Sequence, residues 1–280
     1  MIPHIRVMTP ADIPAGMRLK DLAGWNQTSE DWTRFLRENS DGCFAADWDG
    51  RVAGTVTTIV YEDRLAWIGM VLVDPSFRGK GIGTALLERA VGYLDARRVP
   101  CIKLDATPEG KPLYTRLGFK VEYEIERLVL KRTVPPASPQ GGPIEDLSDI
   151  FALDCETFGA DRSAVLQSVA DAAPELVLVE RQGGAIEGFA LGREGSRADH
   201  LGPWVSRNVG AARDLLQNFL ERSRRDLIFV DVPAENAWAT SLVNDQGFEF
   251  SRPLTRMVRG ENRHPGRPDH IGAILGPELG

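Results

Sequence analysis

Hydrophobic and polar positions over the first 130 residues alternate in a way that predicts short strands separated by amphipathic helices. Residues 66–73 are apolar throughout, as in a strand that is covered on both faces. Apolar residues then recur at helical spacing from Ile82 to Leu94, and residues 100–105 show another strand pattern. Because a helix joins these two strands, we expect them to lie parallel through a right-handed crossover.

Further elements are expected around this unit. Strands are predicted at 5–8, 43–48 and 53–61, with a last strand pair from Gly118 to Leu130, and helices are predicted to begin at 9–12, at Ser29 and at Lys111. Ser29 is the expected N-cap of its helix, with acidic residues in the first turn. Together these elements predict a mixed α/β domain with a central sheet.

The second half of the chain repeats this order in weaker form. Strands are predicted at 176–180, 185–191, 200–205 and 227–232, with an amphipathic helix between the last two. The pair Gly247-Phe248 stands 129 positions after Gly118-Phe119. An internal duplication explains the repeated order, so the expected fold class is α/β with mixed sheets in two tandem domains.

A segment rich in proline and glycine separates the two halves. Residues 133–143, TVPPASPQGGP, hold four Pro and two Gly, which neither a helix nor a central strand accommodates. We therefore expect a first domain over 1–132, a linker over 133–143, a second domain over 144–258 and a tail over 259–280. The apolar residues 271–275 of that tail either dock on a domain or belong to a mobile end.

Composition is that of an ordinary soluble protein, with 42% hydrophobic and 26% charged residues in a chain of 280. The longest apolar stretch is far shorter than the ~20 residues of a membrane helix, and the N-terminus shows no apolar signal segment, so no membrane partner is expected. Three widely spaced cysteines without a CxxC pair indicate a reduced, cytoplasmic protein. The four histidines show no metal-ligand spacing, so no metal is expected.

Charge is shared unevenly between the halves. Through Arg132 there are 19 Lys and Arg against 18 Asp and Glu, whereas beyond it there are 14 against 22, so the net charge of −7 arises in the second half. A phosphate-backbone binder normally carries a basic face, and nucleic acid is therefore not an expected partner. The acidic half either favours a cationic small substrate or serves solubility alone.

One segment carries more chemistry than composition explains. Residues 71–84, VLVDPSFRGKGIGT, form a strand, a turn, a glycine-rich loop and a helix start. Three glycines there let a ligand approach the backbone, and the N–H groups of the loop and the helix start form a phosphate site beside Arg78 and Lys80. The segment fails the GxxxxGK[ST] pattern of nucleotide-binding loops, and Thr84 breaks the GxGxxG dinucleotide pattern. A glycine-rich turn without a ligand is the plainer alternative.

The spacing Arg-x-x-Gly-x-Gly after an apolar strand resembles the acyl-CoA pyrophosphate loop of the GCN5-related N-acetyltransferase (GNAT) family. Residues 107–119, TPEGKPLYTRLGF, resemble the closing motif of that family, in which a tyrosine on a short helix precedes Gly-Phe. The two motifs stand in the family's order, and the resemblance covers about residues 3–130. The second half resembles the additional C-terminal domain of tandem acetyltransferases through residues 201–205, 231–233 and Gly247-Phe248.

The resemblance implies direct transfer of an acetyl group from acetyl-CoA to an amine. The residues that it assigns to acetyl-CoA are Val71, Leu72 and Val73 through their backbone, Arg78, Gly79, Lys80, Gly81, Ile82, Gly83 and Thr84 at the pyrophosphate, and Thr107 where relatives often carry Asn. Tyr114 is the implied acid that protonates the departing thiolate, and a packed aromatic residue is the alternative role.

The general base is left open by the resemblance. Many relatives place a glutamate where this chain has Trp67. Asp105 and Glu62 are nearby candidates, although surface or strand-end charges are the plainer interpretation of both. A water chain, or an amine that is already neutral, would serve without either acid.

The acceptor is expected to bind near the first two helices. Trp25 and Asn26 between these helices are expected to form a pocket wall, and the alternative role of Asn26 is an N-terminal helix cap. The second half lacks the glycine spacing after Val205 and has Val243 at the position of Tyr114, so we expect it to have lost the cofactor loop and the acid. The expected function is acetylation of a small-molecule or amino-acid-like amine. The alternatives are a non-catalytic acyl-CoA sensor and a peptide or protein N-acetyltransferase, and the oligomeric state is not predicted.

Overall fold

The computed structural model describes residues 3–133 and 146–280. The strands of the first half are β1 (His4–Val7), β2 (Phe44–Trp48), β3 (Arg51–Tyr61), β4 (Leu65–Val73), β5 (Cys101–Ala106) and β6 (Lys120–Lys131). Its helices are α1 (Ile13–Leu22), α2 (Ser29–Glu38), α3 (Ile82–Ala96) and α4 (Lys111–Arg116). Residues 134–143 of the predicted linker lie outside the described residues.

The second half has the same order of elements, preceded by two helices of its own. The helices are α5 (Ser148–Phe158), α6 (Ser163–Ala172), α7 (Val209–Arg222) and α8 (Ala237–Asp245). The strands are β7 (Val177–Gln182), β8 (Ala185–Glu194), β9 (Asp199–Ser206), β10 (Leu227–Pro233), β11 (Glu249–Gly260) and the short β12 (Ile271–Ala273).

The two halves exchange a strand at the centre of one sheet. Among the described residues the strand order is β1-β2-β3-β4-β5-β11-β6-β10-β9-β8-β7, with β12 beside β9. Strand β11 lies antiparallel between β5 and β6, and β6 lies antiparallel against β10. Each half therefore completes the sheet of the other.

The predicted parallel crossover is confirmed, because β4 and β5 pair in parallel and α3 joins them. The predicted strand pair between Gly118 and Leu130 is wrong, since residues 120–131 form the single strand β6. Both antiparallel neighbours of β6 come from the second half. A period-2 pattern indicates that a segment is a strand but not which distant segment it pairs with, and this is why the hairpin prediction failed.

Helices cover both faces of the sheet. On one face α1, α2, α5 and α6 share an apolar core, to which Leu19, Phe35, Ile150 and Val169 contribute. Alternate strand residues point to the other face, where α3 packs on the first half and α7 and α8 pack on the second. The halves are thus joined by a common core as well as by the exchanged strands.

The cap of α2 differs from the prediction. Thr28, rather than Ser29, is the N-cap: its backbone N–H donates to the Asp31 carboxylate at 2.8 Å, and its hydroxyl accepts from the Asp31 backbone. This is a reciprocal capping box shifted by one residue from the predicted start. Asn26, the alternative cap, instead forms its side-chain hydrogen bonds with Arg197 and Ala198 of the second half.

Of the two alternatives for the tail, the structure shows docking. Strand β12 pairs antiparallel with β9, and Ile274 and Leu275 after it are buried. The tail then runs across the face of β4 in the first half. A segment that sequence patterns left undecided therefore contacts both halves.

Candidate functional site

The two central strands of the first half diverge where a ligand is expected. Backbone pairing between β4 and β5 covers only residues 65–67 against 101–103. Beyond Trp67 the two strands separate, while the other edge of β4 stays paired with β3 as far as Val73. The N–H and C=O groups of β4 on the open edge lack a strand partner and can bind an extended ligand.

A β-bulge bends β4 at this opening. Met70 and Val71 together face the single residue Val56 of β3, and Met70 has φ of +50°. The Thr55 hydroxyl donates to the Met70 carbonyl at 3.0 Å and so supports the bend. A residue other than glycine with positive φ is strained, and bulges of this kind re-aim backbone groups beside active sites.

The glycine-rich loop leads from β4 into α3. Gly79 and Gly81 have φ of +76° and +80°, and no heavy atom lies within 4 Å of a Cβ built on either residue. Gly81 is the N-cap of α3 and supplies no capping side chain, so no N-cap side chain satisfies the first-turn N–H groups of this helix within the part of the chain that the structure describes. Such a helix start attracts anions, phosphates above all.

Basic side chains lie beside the loop. Arg78 is exposed, and its Nε approaches the Val73 carbonyl at 3.4 Å. Lys80 lies over the rings of Trp48 and Phe77, with its Nζ 5.3 and 4.8 Å from their centroids. Arg51 lies 4.5 Å from the Phe77 centroid, a contact that sequence reasoning did not identify because nothing in the local pattern around Arg51 refers to the loop.

Tyr114 packs in the apolar core on the α3 side of the sheet. It shares that cluster with Ala106 at the end of β5 and Ile82 at the start of α3, and its ring meets Phe119 edge-on at 6.2 Å. A Cβ at Gly110 would lie 2.7 Å from the Tyr114 ring, so glycine is required there. Burial raises the pKa of Tyr114, which keeps the phenol protonated at neutral pH.

Thr107 opens the turn that leads to Tyr114. Its hydroxyl accepts a hydrogen bond from the Gly110 backbone at 3.3 Å, and the Thr107 carbonyl accepts from the backbone of Gly110 and Lys111. The structure therefore places Thr107 at the carboxyl end of β5, with its side chain engaged in the turn.

The opposite face of β4 is covered by the tail. The Trp67 indole donates to the Pro277 carbonyl and the Tyr61 hydroxyl donates to the Leu279 carbonyl, both at 2.9 Å. A Cβ at Gly69 would lie 2.7 Å from the Glu278 carbonyl oxygen, so the absence of a side chain at Gly69 permits this contact. Trp67, at the position where the resemblance implies a glutamate, thus anchors a segment from the second half.

The two acids considered as bases are both engaged. Asp105 accepts two hydrogen bonds of 2.9 Å from Arg256 of β11, and its side chain is buried near the end of β5, so of the two plainer interpretations it is a strand-end charge and not a surface charge. The Asp105 carboxylate raises the pKa of Arg256 against the opposing effect of burial. Glu62 is partly exposed and binds Arg64 and the backbone of Asp161, each at 2.7 Å.

Arg256 links the sheet to the opening between β4 and β5. Its guanidinium lies 4.6 Å from the Trp67 ring and donates to the Tyr123 hydroxyl at 2.6 Å. A cavity beside it is lined by the second half and the tail: Asp154, Thr157, Phe158, Arg162, Pro203, Val205, Arg256, Ile271, Ile274 and Gly280. Sequence reasoning missed Arg256, because β11 (EFSRPLTRMVRG) holds three arginines and its local pattern does not show which of them is buried.

Asn26 and Trp25 do not play the same role. Asn26 is buried, and its amide binds the second half: Nδ2 donates to the Ala198 carbonyl at 2.9 Å, and Oδ1 accepts from the backbones of Arg197 and Ala198. Trp25 is half-buried against the core shared by α1, α2, α5 and α6. The structure therefore uses the amide of Asn26 to hold the two halves together.

The corresponding opening in the second half is occupied by the chain itself. Strands β9 and β10 pair only at 199–201 against 228–230, and β12 then pairs with β9 at Trp204 and Val205. The bulge of β9 places Pro203 where β4 has Val71, and proline has no N–H to donate. The edge that is open in the first half is thus covered and lacks a donor in the second.

The other two ligand features also differ in the second half. Asn208 caps α7, and its side chain accepts from the Ala211 backbone at 2.9 Å. Val243 occupies the position of Tyr114 and is fully buried. The expected loss of the cofactor loop and of the acid is consistent with these contacts.

Three structural observations concern membrane spans, metal ligands and cysteines. Within residues 3–133 and 146–280, no helix has the length and apolarity to cross a membrane. In the same residues, no group of three or more His, Cys, Asp and Glu side chains is placed to hold a metal. Cys43, Cys101 and Cys155 are free thiols.

Family models match both halves of the chain. Residues 16–119 match the acetyltransferase (GNAT) family model, and residues 150–273 match a second acetyltransferase (GNAT) domain model. The uncharacterised N-acetyltransferase YitH of Bacillus subtilis is 23% identical over 94% of both chains. The holothin acyltransferase of a Pseudoalteromonas species is 26% identical over 91% of this chain and 87% of its own.

Solved structures show the same architecture over the whole chain. A putative acetyltransferase from Pyrococcus horikoshii superposes with a TM-score of 0.83 at 24% identity, covering 99% of this chain and 96% of its own. A GCN5-related N-acetyltransferase from Sphaerobacter thermophilus gives 0.68 at 20% identity, covering 94% and 96%. At these identities the likeness concerns the fold alone.

Proposed function

The chain belongs to the GNAT superfamily, with two such domains in tandem, and is an acyltransferase; from this premise we propose the substrates and the site. The protein transfers an acetyl group from acetyl-CoA to the amine of a small-molecule or amino-acid-like acceptor. The reaction takes place in the first domain, which holds one acetyl-CoA per chain.

One observation carries this proposal: the first half combines an open edge of β4 with an uncapped start of α3. In the second half the equivalent edge is paired and the equivalent helix is capped. Pantetheine amides would bind the backbone of Val71, Leu72 and Val73, where β5 has diverged. The pyrophosphate would bind the N–H groups from Arg78 to Thr84, with the Arg78 and Lys80 side chains beside it. The free space around Gly79 and Gly81 fits a ligand that approaches the backbone.

The chain's own groups supply the chemistry of transfer. A backbone N–H at the bulge of β4 polarises the acetyl carbonyl and stabilises the developing oxyanion. An acceptor that binds as an ammonium first loses one proton to solvent, and the free amine attacks. The N–C bond forms as the C–S bond breaks, the acetylated nitrogen releases a second proton to solvent, and solvent returns a proton to Tyr114 after the thiolate has left. Tyr114, kept protonated by burial, donates its proton to the departing thiolate.

The names of relatives support a small acceptor. One relative is named holothin acyltransferase, and a mycothiol acetyltransferase of Acidimicrobium ferrooxidans is 31% identical over 49% of this chain. The tail that covers the face of β4 opposes the open groove that a protein substrate would need. Three free thiols favour a reduced, cytoplasmic location.

The test is a thiol-release assay with acetyl-CoA over a panel of small amines, together with calorimetric titration of acetyl-CoA. We expect CoA release that depends on the acceptor and a stoichiometry of one. Tight binding without acceptor-dependent release over the panel would favour the sensor, and release that requires a peptide acceptor would favour the protein N-acetyltransferase. A stoichiometry of two would contradict the assignment of one site.

A further inference from the structure

We propose that Arg252 and Glu278, both from the second half of the chain, bind the carboxylate and the ammonium of an amino-acid acceptor at the opening between β4 and β5. The inference rests on the proposed function and narrows its acceptor to a zwitterion. It is carried by two charged side chains of opposite sign that each keep unused hydrogen-bonding capacity on one side of the sheet.

Glu278 lies at the point where the strands diverge. Its backbone contacts Gly69, the residue before the bulge of β4, and its side chain is buried. Arg193 binds Oε1, whereas Oε2 has no hydrogen-bond partner among the described residues. A buried carboxylate oxygen without a partner is costly, and an ammonium group would supply the missing donor.

Arg252 is the complementary charge. It lies on β11 directly opposite Arg127 of β6, next to a bulge, and is half-buried. Within residues 3–133 and 146–280 its guanidinium forms no ion pair of 4.0 Å or less. Burial, and then the charge of Arg127, lower the pKa of Arg252 to about 10, as befits a cation without its own counter-ion.

A continuous network places the two residues on the same side of the sheet. Arg127 binds Asp231 through two hydrogen bonds of 2.7 and 2.6 Å, and Asp231 lies 3.3 Å from the His200 ring. His200 in turn contacts Arg193, the partner of Glu278. Because paired residues on adjacent strands share a face, Arg252 lies on the face of Arg127 and of this network.

The other arginines of this region already have carboxylate partners. Arg127 binds Asp231, Arg256 binds Asp105, and Arg193 binds Asp31 and Glu278. Arg252 is therefore the guanidinium that remains available for a ligand carboxylate, which it can bind bidentately. An amino acid brings both missing groups in one molecule, with its amine next to Gly69 at the bulge.

The experiment compares each amino acid with its decarboxylated amine, for example leucine with isopentylamine and phenylalanine with phenethylamine, in the thiol-release assay on the full chain. We expect the amino acid of a pair to have the higher kcat/KM. Arg252→Gln should lower kcat/KM for the amino acid about 10- to 100-fold, the range for a lost charge-assisted hydrogen bond. The same variant should leave kcat/KM for the decarboxylated amine within about twofold of the wild-type value, because that amine makes no contact with Arg252.

Two further variants distinguish binding from a general structural effect. Glu278→Gln should lower kcat/KM for both members of a pair, since both carry the ammonium. Arg263→Gln, at an exposed residue paired only with exposed Glu261, is the matched control and should change neither. Unchanged acetyl-CoA affinity and an unchanged thermal midpoint would show that each variant keeps its fold.

The outcomes separate this inference from the proposed function. Equal use of both members of every pair, or an Arg252→Gln loss that is the same for both, would overturn the carboxylate site while acetyl transfer to amines stands. Amino-acid-dependent thermal stabilisation that Arg252→Gln abolishes would support the site without any turnover. If no amine of either kind is acetylated or stabilises the protein, both proposals fall.

Discussion

The two halves of this chain share a fold and differ at each place where the first half presents a ligand feature. The edge of β4 is open, whereas the equivalent edge of β9 pairs with β12. Val71 keeps a backbone N–H where Pro203 has none. The helix after the first opening starts at a bare glycine, whereas Asn208 caps the helix after the second.

The difference shows how a GNAT framework can satisfy the same backbone groups from within the chain. A protein edge or helix end that binds no ligand still needs hydrogen-bond partners. The second half supplies these from the chain itself, through β12 along β9 and through the Asn208 amide on α7. The groups that acetyl-CoA would satisfy in the first half are satisfied internally in the second.

The largest effect on activity is expected at Tyr114, the proposed acid, where the second half has Val243. Tyr114→Phe should lower kcat by about 100-fold or more, the usual range for losing a positioned proton donor, with acetyl-CoA affinity within about twofold. Thiol-release assays measure kcat, and calorimetric titration measures the affinity for acetyl-CoA. Tyr93→Phe, which removes a hydroxyl bound to Asn39 on the same half, is the control. Unchanged turnover in Tyr114→Phe would remove its role as the acid.

The next largest effect is on stability and tests whether the two halves unfold independently. Arg127 of β6 and Asp231 of β10 form a buried pair across the exchanged strands. Asp231→Asn leaves the buried guanidinium without its charge partner and should lower the free energy of unfolding by about 3–5 kcal/mol, measured in urea. Asp269→Asn removes an exposed pair with Arg267 and should cost less than about 1 kcal/mol. Two separate unfolding transitions would contradict the single shared sheet.

The same pair gives a pH dependence with a defined sign. Burial alone would raise the pKa of Asp231, but Arg127, followed by His200, holds it well below its usual range. A carboxyl group whose pKa is lower in the folded state contributes stability above its unfolded value of about 3.9 and loses it as the pH falls further. Wild-type stability should therefore fall below about pH 4, and Asp231→Asn should show a smaller slope there. Parallel slopes would contradict this assignment.

A smaller effect is expected at the loop. Arg78→Gln should raise KM for acetyl-CoA about tenfold with kcat nearly unchanged, because it removes one charged contact that is equal in the ground state and the transition state. Arg207→Gln alters the corresponding loop of the second half and should leave both constants unchanged. A comparable rise in Arg207→Gln would indicate that the second half also binds acetyl-CoA.

The smallest effect is expected for a change in the second half that lowers stability and leaves activity unchanged. Asn208→Ala removes the cap of α7 and should lower stability by about 1 kcal/mol, seen in thermal or urea unfolding. Steady-state constants for acetyl-CoA should not change. If the variant instead altered KM while stability stayed constant, α7 would be part of a ligand site and the contrast between the halves would be wrong.

Much of the fold could be predicted from the sequence because its signals are local. The apolar run of β4, the helical spacing of α3, the glycine-rich loop and the Tyr-to-Gly-Phe spacing each lie within about 15 residues. The roles of Tyr114 and of the loop residues from Arg78 to Thr84 remain predictions. The predicted domain boundary at residue 132 also remains a prediction, and strand β6 before it pairs with the other half.

The sequence by itself determined the tandem order of elements, the parallel crossover and the position of the glycine-rich loop before α3, since these depend on periodicity and on the conformational freedom of glycine. Only the tertiary structure decided that β11 lies between β5 and β6, that Arg256 binds Asp105, and that Glu278 contacts Gly69. These contacts join residues at least 120 positions apart. Local patterns report which face of an element is buried and not which distant element buries it, so the partners emerge only when the whole sheet is assembled.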